Sequence, residues 1–74
     1  MSDMQDRDVT KTYSTNQNIA KLERLIEALR DGQDFEIQVD NERLTVPAGS
    51  EFSIEHEREG PMHELEFQFR WRED

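Results

Sequence analysis

The sequence predicts a small α+β domain in two layers, with one amphipathic helix packed on a four- to five-stranded, mostly antiparallel sheet in the order β-α-β-β-β-β. Three observations carry that prediction. Ile19, Leu22, Leu25, Ile26 and Leu29 recur at steps of three and four, the period of one helix face. Phe35, Ile37 and Val39, then Leu44 and Val46, then Phe52 and Ile54, and finally Leu65, Phe67, Phe69 and Trp71 alternate with polar residues. Strict alternation is the mark of a sheet with one wet face. Gly, Pro, Asn and Asp separate these runs, where turns belong.

Residues 1–8 are polar and acidic and read as a disordered tail, which leaves 9–74 as a single domain. Val9, Lys11 and Tyr13 alternate with Thr10 and Thr12, a short strand-like stretch. Ser14 or Thr15 offers an N-cap oxygen, and Ser14 with Gln17 has the spacing of a capping box. Lys21, Glu23, Arg24, Glu27 and Arg30 fill the polar side of the helix, and Gly32 ends it as a C′ glycine would.

The next two strands form a hairpin around Asp40, Asn41 and Glu42, and a break at Pro47, Ala48, Gly49 and Ser50 follows. In the second half Phe52, Ile54, His56 and Arg58 share one face. Setting Glu59 opposite Glu64, across a loop from Gly60 to His63, pairs Arg58 with Leu65, His56 with Phe67, Ile54 with Phe69 and Phe52 with Trp71. All core-side residues then agree in direction. The same register places Ser53 beside Arg70 and Glu51 beside Arg72 on the wet side, but also Glu57 beside Glu66, a repulsive pair in low salt. A helix is only about 10–12 Å wide and strands lie about 4.8 Å apart, so one helix is expected to leave part of the apolar sheet face uncovered.

With 74 residues there is room for one core only. No cysteine is present, which removes disulfides and thiolate metal sites and points to the cytosol. No apolar run approaches the length of a membrane span or a signal-peptide core. Eighteen acidic residues against nine basic ones leave a formal charge of −9, which repels phosphate backbones and anionic headgroups and argues against nucleic acid or membrane as partner. Lysine occurs only at Lys11 and Lys21, while seven arginines supply the other positive charges. An acid-rich, lysine-poor surface suits a saline cytosol, where molar salt shrinks the Debye length to about 3 Å and crowded carboxylates stop repelling one another.

The helix from Ile19 to Arg30 ending at Gly32, the stretch Leu44, Thr45, Val46 and Pro47, and the ending Glu64-Leu65-Glu66-Phe67-Gln68-Phe69-Arg70-Trp71 together resemble the amphi-Trp domain. The resemblance covers roughly residues 12–72 and rests on spacing and pattern. It implies a small helix-and-sheet domain of a kind common in salt-loving archaea and found also in bacteria, with Trp71 as the signature tryptophan. No catalytic residue or activity comes with it.

His56 and His63, with Glu59 or Glu64 nearby, are the candidate ligands for a metal such as zinc or nickel. In the register above, however, His63 sits in the turn and does not converge with His56. Glu55, Glu57, Glu64 and Glu66 are a solvated acidic face rather than acid–base catalysts. No nucleophile elbow and no glycine-rich phosphate loop is recognisable, so the chain reads as a non-enzyme without a cofactor. Phe52, Phe69 and Trp71 are the candidate binding residues, with core packing as their first role. Any part of that aromatic stripe left uncovered would serve a homodimer or an unknown protein partner.

Overall fold

The computed structural model describes residues 6–73 of the chain. Among them are one helix and four strands, in the order α1 (Thr15–Asp31), β1 (Phe35–Val39), β2 (Glu42–Val46), β3 (Glu51–Glu59) and β4 (Met62–Arg70). The strands form two separate two-stranded antiparallel sheets, β1–β2 and β3–β4. The fold class is α+β, as the sequence predicts, but two hairpins stand where it predicts one sheet.

Helix α1 starts and stops by local chemistry. The Ser14 hydroxyl accepts from the Gln17 backbone N–H at 3.2 Å, and the Gln17 side chain accepts from the Ser14 backbone N–H at 3.0 Å, so the capping box closes in both directions. At the other end Gly32 adopts φ 63, and its N–H reaches back to the Ala28 and Leu29 carbonyls. A left-handed residue at this place costs glycine nothing and a Cβ-bearing residue about 1–2 kcal/mol.

Residues 6–14 form no strand, in contrast to the alternation of Val9, Lys11 and Tyr13. Side chains tie this segment down instead of a backbone ladder. Arg7 donates to the Val39 carbonyl at 2.9 Å and faces Glu42 at 3.3 Å. The Tyr13 hydroxyl donates to the Gln38 carbonyl and accepts from the Asp40 N–H, with Lys21 over its ring. Arg7 lies within the tail expected over 1–8, of which residues 1–5 fall outside the described residues.

The first hairpin turns through Asp40 and Asn41, pairing Val39 with Glu42 and Phe35 with Val46. Asp40 takes φ 56, a conformation that aspartate tolerates better than most residues. The second hairpin turns through Gly60 and Pro61 alone, so Glu59 faces Met62. Gly60, at φ 58, holds the first turn position, where a tight turn wants glycine, and proline accepts the second because it needs only a negative φ.

That short turn moves the register by two residues from the one expected across a four-residue loop. Arg58 meets His63, His56 meets Leu65, Ile54 meets Phe67 and Phe52 meets Phe69. An even shift keeps Phe52, Ile54, Leu65, Phe67 and Phe69 on one face. It also lengthens both strands to nine residues and leaves Trp71 beyond the end of β4.

The core sits between α1 and the first hairpin and is small. Phe35 and Val46 are the buried hydrophobic residues, at 8% and 7% exposure. Arg24 closes over Phe35, donating to the Glu36 carbonyl at 2.9 Å with its guanidinium 5.6 Å from the Phe35 ring centre. Asp34 accepts from the Ala48 N–H at 2.8 Å and ties the end of β2 to the start of β1.

Packing of α1 is on β1, and no comparable packing joins α1 to the β3–β4 hairpin. The helix therefore does not lie across a sheet of four strands, as the sequence predicts for a two-layer domain. The radius of gyration is 14.2 Å, against about 11 Å for a compact chain of this length. The longest dimension is 42 Å.

Candidate functional site

Two apolar surfaces remain open on this fold. On α1, Leu25 and Ala28 turn inward and are half-buried, while Ile19, Leu22, Ile26 and Leu29 are exposed. The exposed set repeats at steps of three, four and three, a straight seam of the kind that one helix offers to a partner. Packing α1 through Leu25 turned the larger part of the expected core stripe outward.

On the β3–β4 hairpin, Phe52, Ile54, Leu65 and Phe67 project from one face and are exposed, with Phe69 half-buried among them. Phe52 and Phe69, directly opposed, stack with centroids 4.4 Å apart and planes within 6°. Phe67 lies tilted against Phe52 at 6.3 Å. These aromatic residues cover one another along the strands, and Phe52 and Phe67 remain exposed.

Trp71, expected on the core side, is 36% exposed. Continued by one step, the ladder would set it opposite Ser50, but Ser50 is held in the turn by bonds to the Pro47 carbonyl. Trp71 therefore lies outside the ladder, and its indole edges an open groove with Glu51, Arg70 and Arg72. Of the three candidate binding residues, Phe52 and Phe69 are brought together and Trp71 stands apart at the strand end.

His56 and His63 meet, contrary to the sequence expectation. Their rings stack within 4° of parallel, and His56 Nε2 lies 2.9 Å from His63 Nδ1, so one ring donates a proton to the other. The two-residue register shift produces this contact, since it draws His63 out of the loop and into β4. Alternation sends Glu55, Glu57, Glu64 and Glu66 to the opposite face, and Arg58 shares the face with the two histidines. Among the described residues no group of three or more His, Cys, Asp or Glu is placed to hold a metal ion.

The wet face carries two like-charged cross-strand pairs, Glu55 with Glu66 and Glu57 with Glu64, in place of the Glu57–Glu66 and Glu59–Glu64 pairs of the sequence register. Gln68 partly relieves the first, donating to Glu55 and, at 3.0 Å, to Glu66. Glu51 opposite Arg70 is the favourable pair on that face.

Compared with protein-family models, with curated proteins and with solved structures, the chain matches none. Its function therefore has to be argued from its own surfaces. Among the described residues no helix is long and apolar enough to cross a membrane.

Proposed function

We propose that this chain is a non-catalytic self-association module of the amphi-Trp type, whose open apolar surfaces are completed by another protein chain, in the first place a copy of itself. One observation carries this reading: among the described residues eleven large hydrophobic residues are exposed while only Phe35 and Val46 are buried, so most of the large apolar side chains lie outside the core. Contiguous apolar surface on that scale marks association in small proteins. Eight of the eleven fall on two ordered faces, the helix seam and one side of the β3–β4 hairpin, which supports docking over simple surface hydrophobicity; Val9, Met62 and Trp71 lie outside them.

The acidic composition supports a saline cytosolic setting, where salt screens the carboxylates and strengthens apolar association. The alternation from Leu65 to Trp71, with the capped helix before Gly32, supports the amphi-Trp likeness. The two-layer arrangement expected for such a domain would be completed in the assembly, with a helix of one chain over strands of another.

Sedimentation velocity over a wide concentration range, in about 2 M KCl to screen the surface charge, tests the proposal. The expected result is a species of at least twice the 8.8 kDa chain mass. A monomer that still binds an apolar dye strongly would move the surfaces to a foreign partner. A monomer with no dye binding would overturn the interaction reading altogether.

The 2.9 Å approach of His56 to His63 favours a second reading, a site for a metal ion or a small ligand. Against it stand Arg58 on the same face and the glutamates on the other. Titration with zinc, followed through the histidine ring resonances, separates the two readings: no shift at either ring removes the second.

A further inference from the structure

We infer that two copies pack reciprocally, each β3–β4 hairpin laying its apolar face on the Ile19, Leu22, Ile26 and Leu29 seam of the other chain's α1. This inference rests on the self-association reading and adds which surface meets which.

The two faces match in length. Ile19 to Leu29 spans about 15 Å at the helical rise, and Phe52 to His56 about 13 Å at the strand rise. They also match in kind, because a helix stripe and a one-sided sheet are the two halves of a two-layer core. Each chain carries both halves and joins neither to the other, since α1 packs on β1 and the hairpin stands clear of it. A twofold axis satisfies both faces of both chains in one closed interface.

Coverage separates this arrangement from its rivals. The hairpin's six carboxylates, at Glu51, Glu55, Glu57, Glu59, Glu64 and Glu66, lie on the face away from Phe52, Ile54, Leu65 and Phe67 and stay in solvent when the apolar face is covered. Hairpin on hairpin through the apolar faces would leave the helix seam of each chain open. Helix on helix would use the seam but leave Phe52, Ile54, Leu65 and Phe67 open.

Area points the same way. The accessible surface is 6858 Å², whereas a compact monomer of this mass exposes about 4,800 Å². The exposed segment at residues 6–14 contributes to that difference together with the exposed seam and hairpin face, so the area open to a partner is below the full difference of about 2,000 Å² per chain. Half of that difference on each chain reaches the lower bound for a permanent homodimer, about 2,000 Å² in total.

The chain has no cysteine, so introduced thiols report only on the pairs they form. Leu22→Cys or Ile26→Cys is combined in one chain with Ile54→Cys or Phe67→Cys, oxidised, and resolved on non-reducing gels beside each single variant. Sedimentation of the unmodified protein accompanies the gels. Reciprocal packing gives a covalent dimer in at least one double variant and none in the singles. A dimer from Leu22→Cys or Ile26→Cys alone means helix on helix, and one from Ile54→Cys or Phe67→Cys alone means hairpin on hairpin. Either overturns the arrangement and leaves self-association standing. A disulfide within one chain means that the hairpin closes on its own helix, which overturns both readings. No disulfide overturns the arrangement alone if the unmodified protein sediments as a dimer, and self-association with it if the protein is a monomer.

Discussion

Phe52 and Phe69 stack almost parallel across β3 and β4, with ring centres 4.4 Å apart, on a hairpin face where Phe52, Ile54, Leu65 and Phe67 are exposed. Two large aromatic rings held in register on an open face make that face rigid before any partner arrives, and a rigid face loses less side-chain freedom on docking.

The stack itself should be measurable. Phe52→Leu, Phe69→Leu and the double variant form a thermodynamic cycle, and the expected coupling is about 0.5–1.5 kcal/mol beyond the effect of area. Urea unfolding followed by circular dichroism reads it. Strictly additive losses would mean that the rings only sit near each other.

Phe35 and the helix seam should respond differently to dilution. Phe35→Ala removes a buried ring and is expected to cost about 3 kcal/mol at any protein concentration. Leu22→Ala alters a side chain that is half exposed in the single chain, so its cost should grow as concentration rises through the association range. Equal, concentration-independent losses would place Leu22 inside the chain's own core.

Trp71 offers an internal reporter because it is the sole tryptophan. If the strand end is covered on association, its emission should shift to the blue as concentration rises. Trp71→Ala should then weaken association while changing monomer stability by less than about 1 kcal/mol, as surface substitutions do. A loss of about 3–5 kcal/mol in the monomer would make Trp71 a core residue.

Salt should stabilise the protein. The paired carboxylates at Glu55 and Glu66 and at Glu57 and Glu64 repel across the ladder, and screening removes that repulsion. The melting temperature is therefore expected to climb between about 0.1 M and 2 M KCl. Glu57→Gln should raise the low-salt value and flatten the curve, whereas a flat curve in the unmodified protein would contradict the saline setting.

Capping makes the smallest prediction. Ser14→Ala breaks the reciprocal pair with Gln17 and is expected to cost about 1 kcal/mol. Ser14→Asp, which keeps an acceptor oxygen, should recover most of it.

Much of the architecture was legible because it is written locally. Ser14, Gln17 and Gly32 bound α1 through contacts within a few residues, and strict alternation assigned a face to each side chain of β3 and β4. The absence of a strand at Val9 to Tyr13 was not legible, because it depends on distant groups such as Gln38, Val39 and Glu42 that engage Arg7 and Tyr13 through side chains. The contact between His56 and His63 was hidden for a different reason: it hangs on whether the turn takes two residues or four, and both lengths keep the apolar face intact.

By itself the sequence determined the helix with its caps, the four strands of the two hairpins, the acidic surface and which side chains share a face, since propensity, capping and alternation act over short distances. Only the tertiary structure decided that the strands stay as two separate hairpins, that α1 packs on β1 through Leu25 and leaves its seam open, and that Trp71 overhangs the ladder. Those outcomes turn on which apolar surfaces find each other across long stretches of chain, and the pattern along a strand or helix says that a face must be covered without saying what covers it.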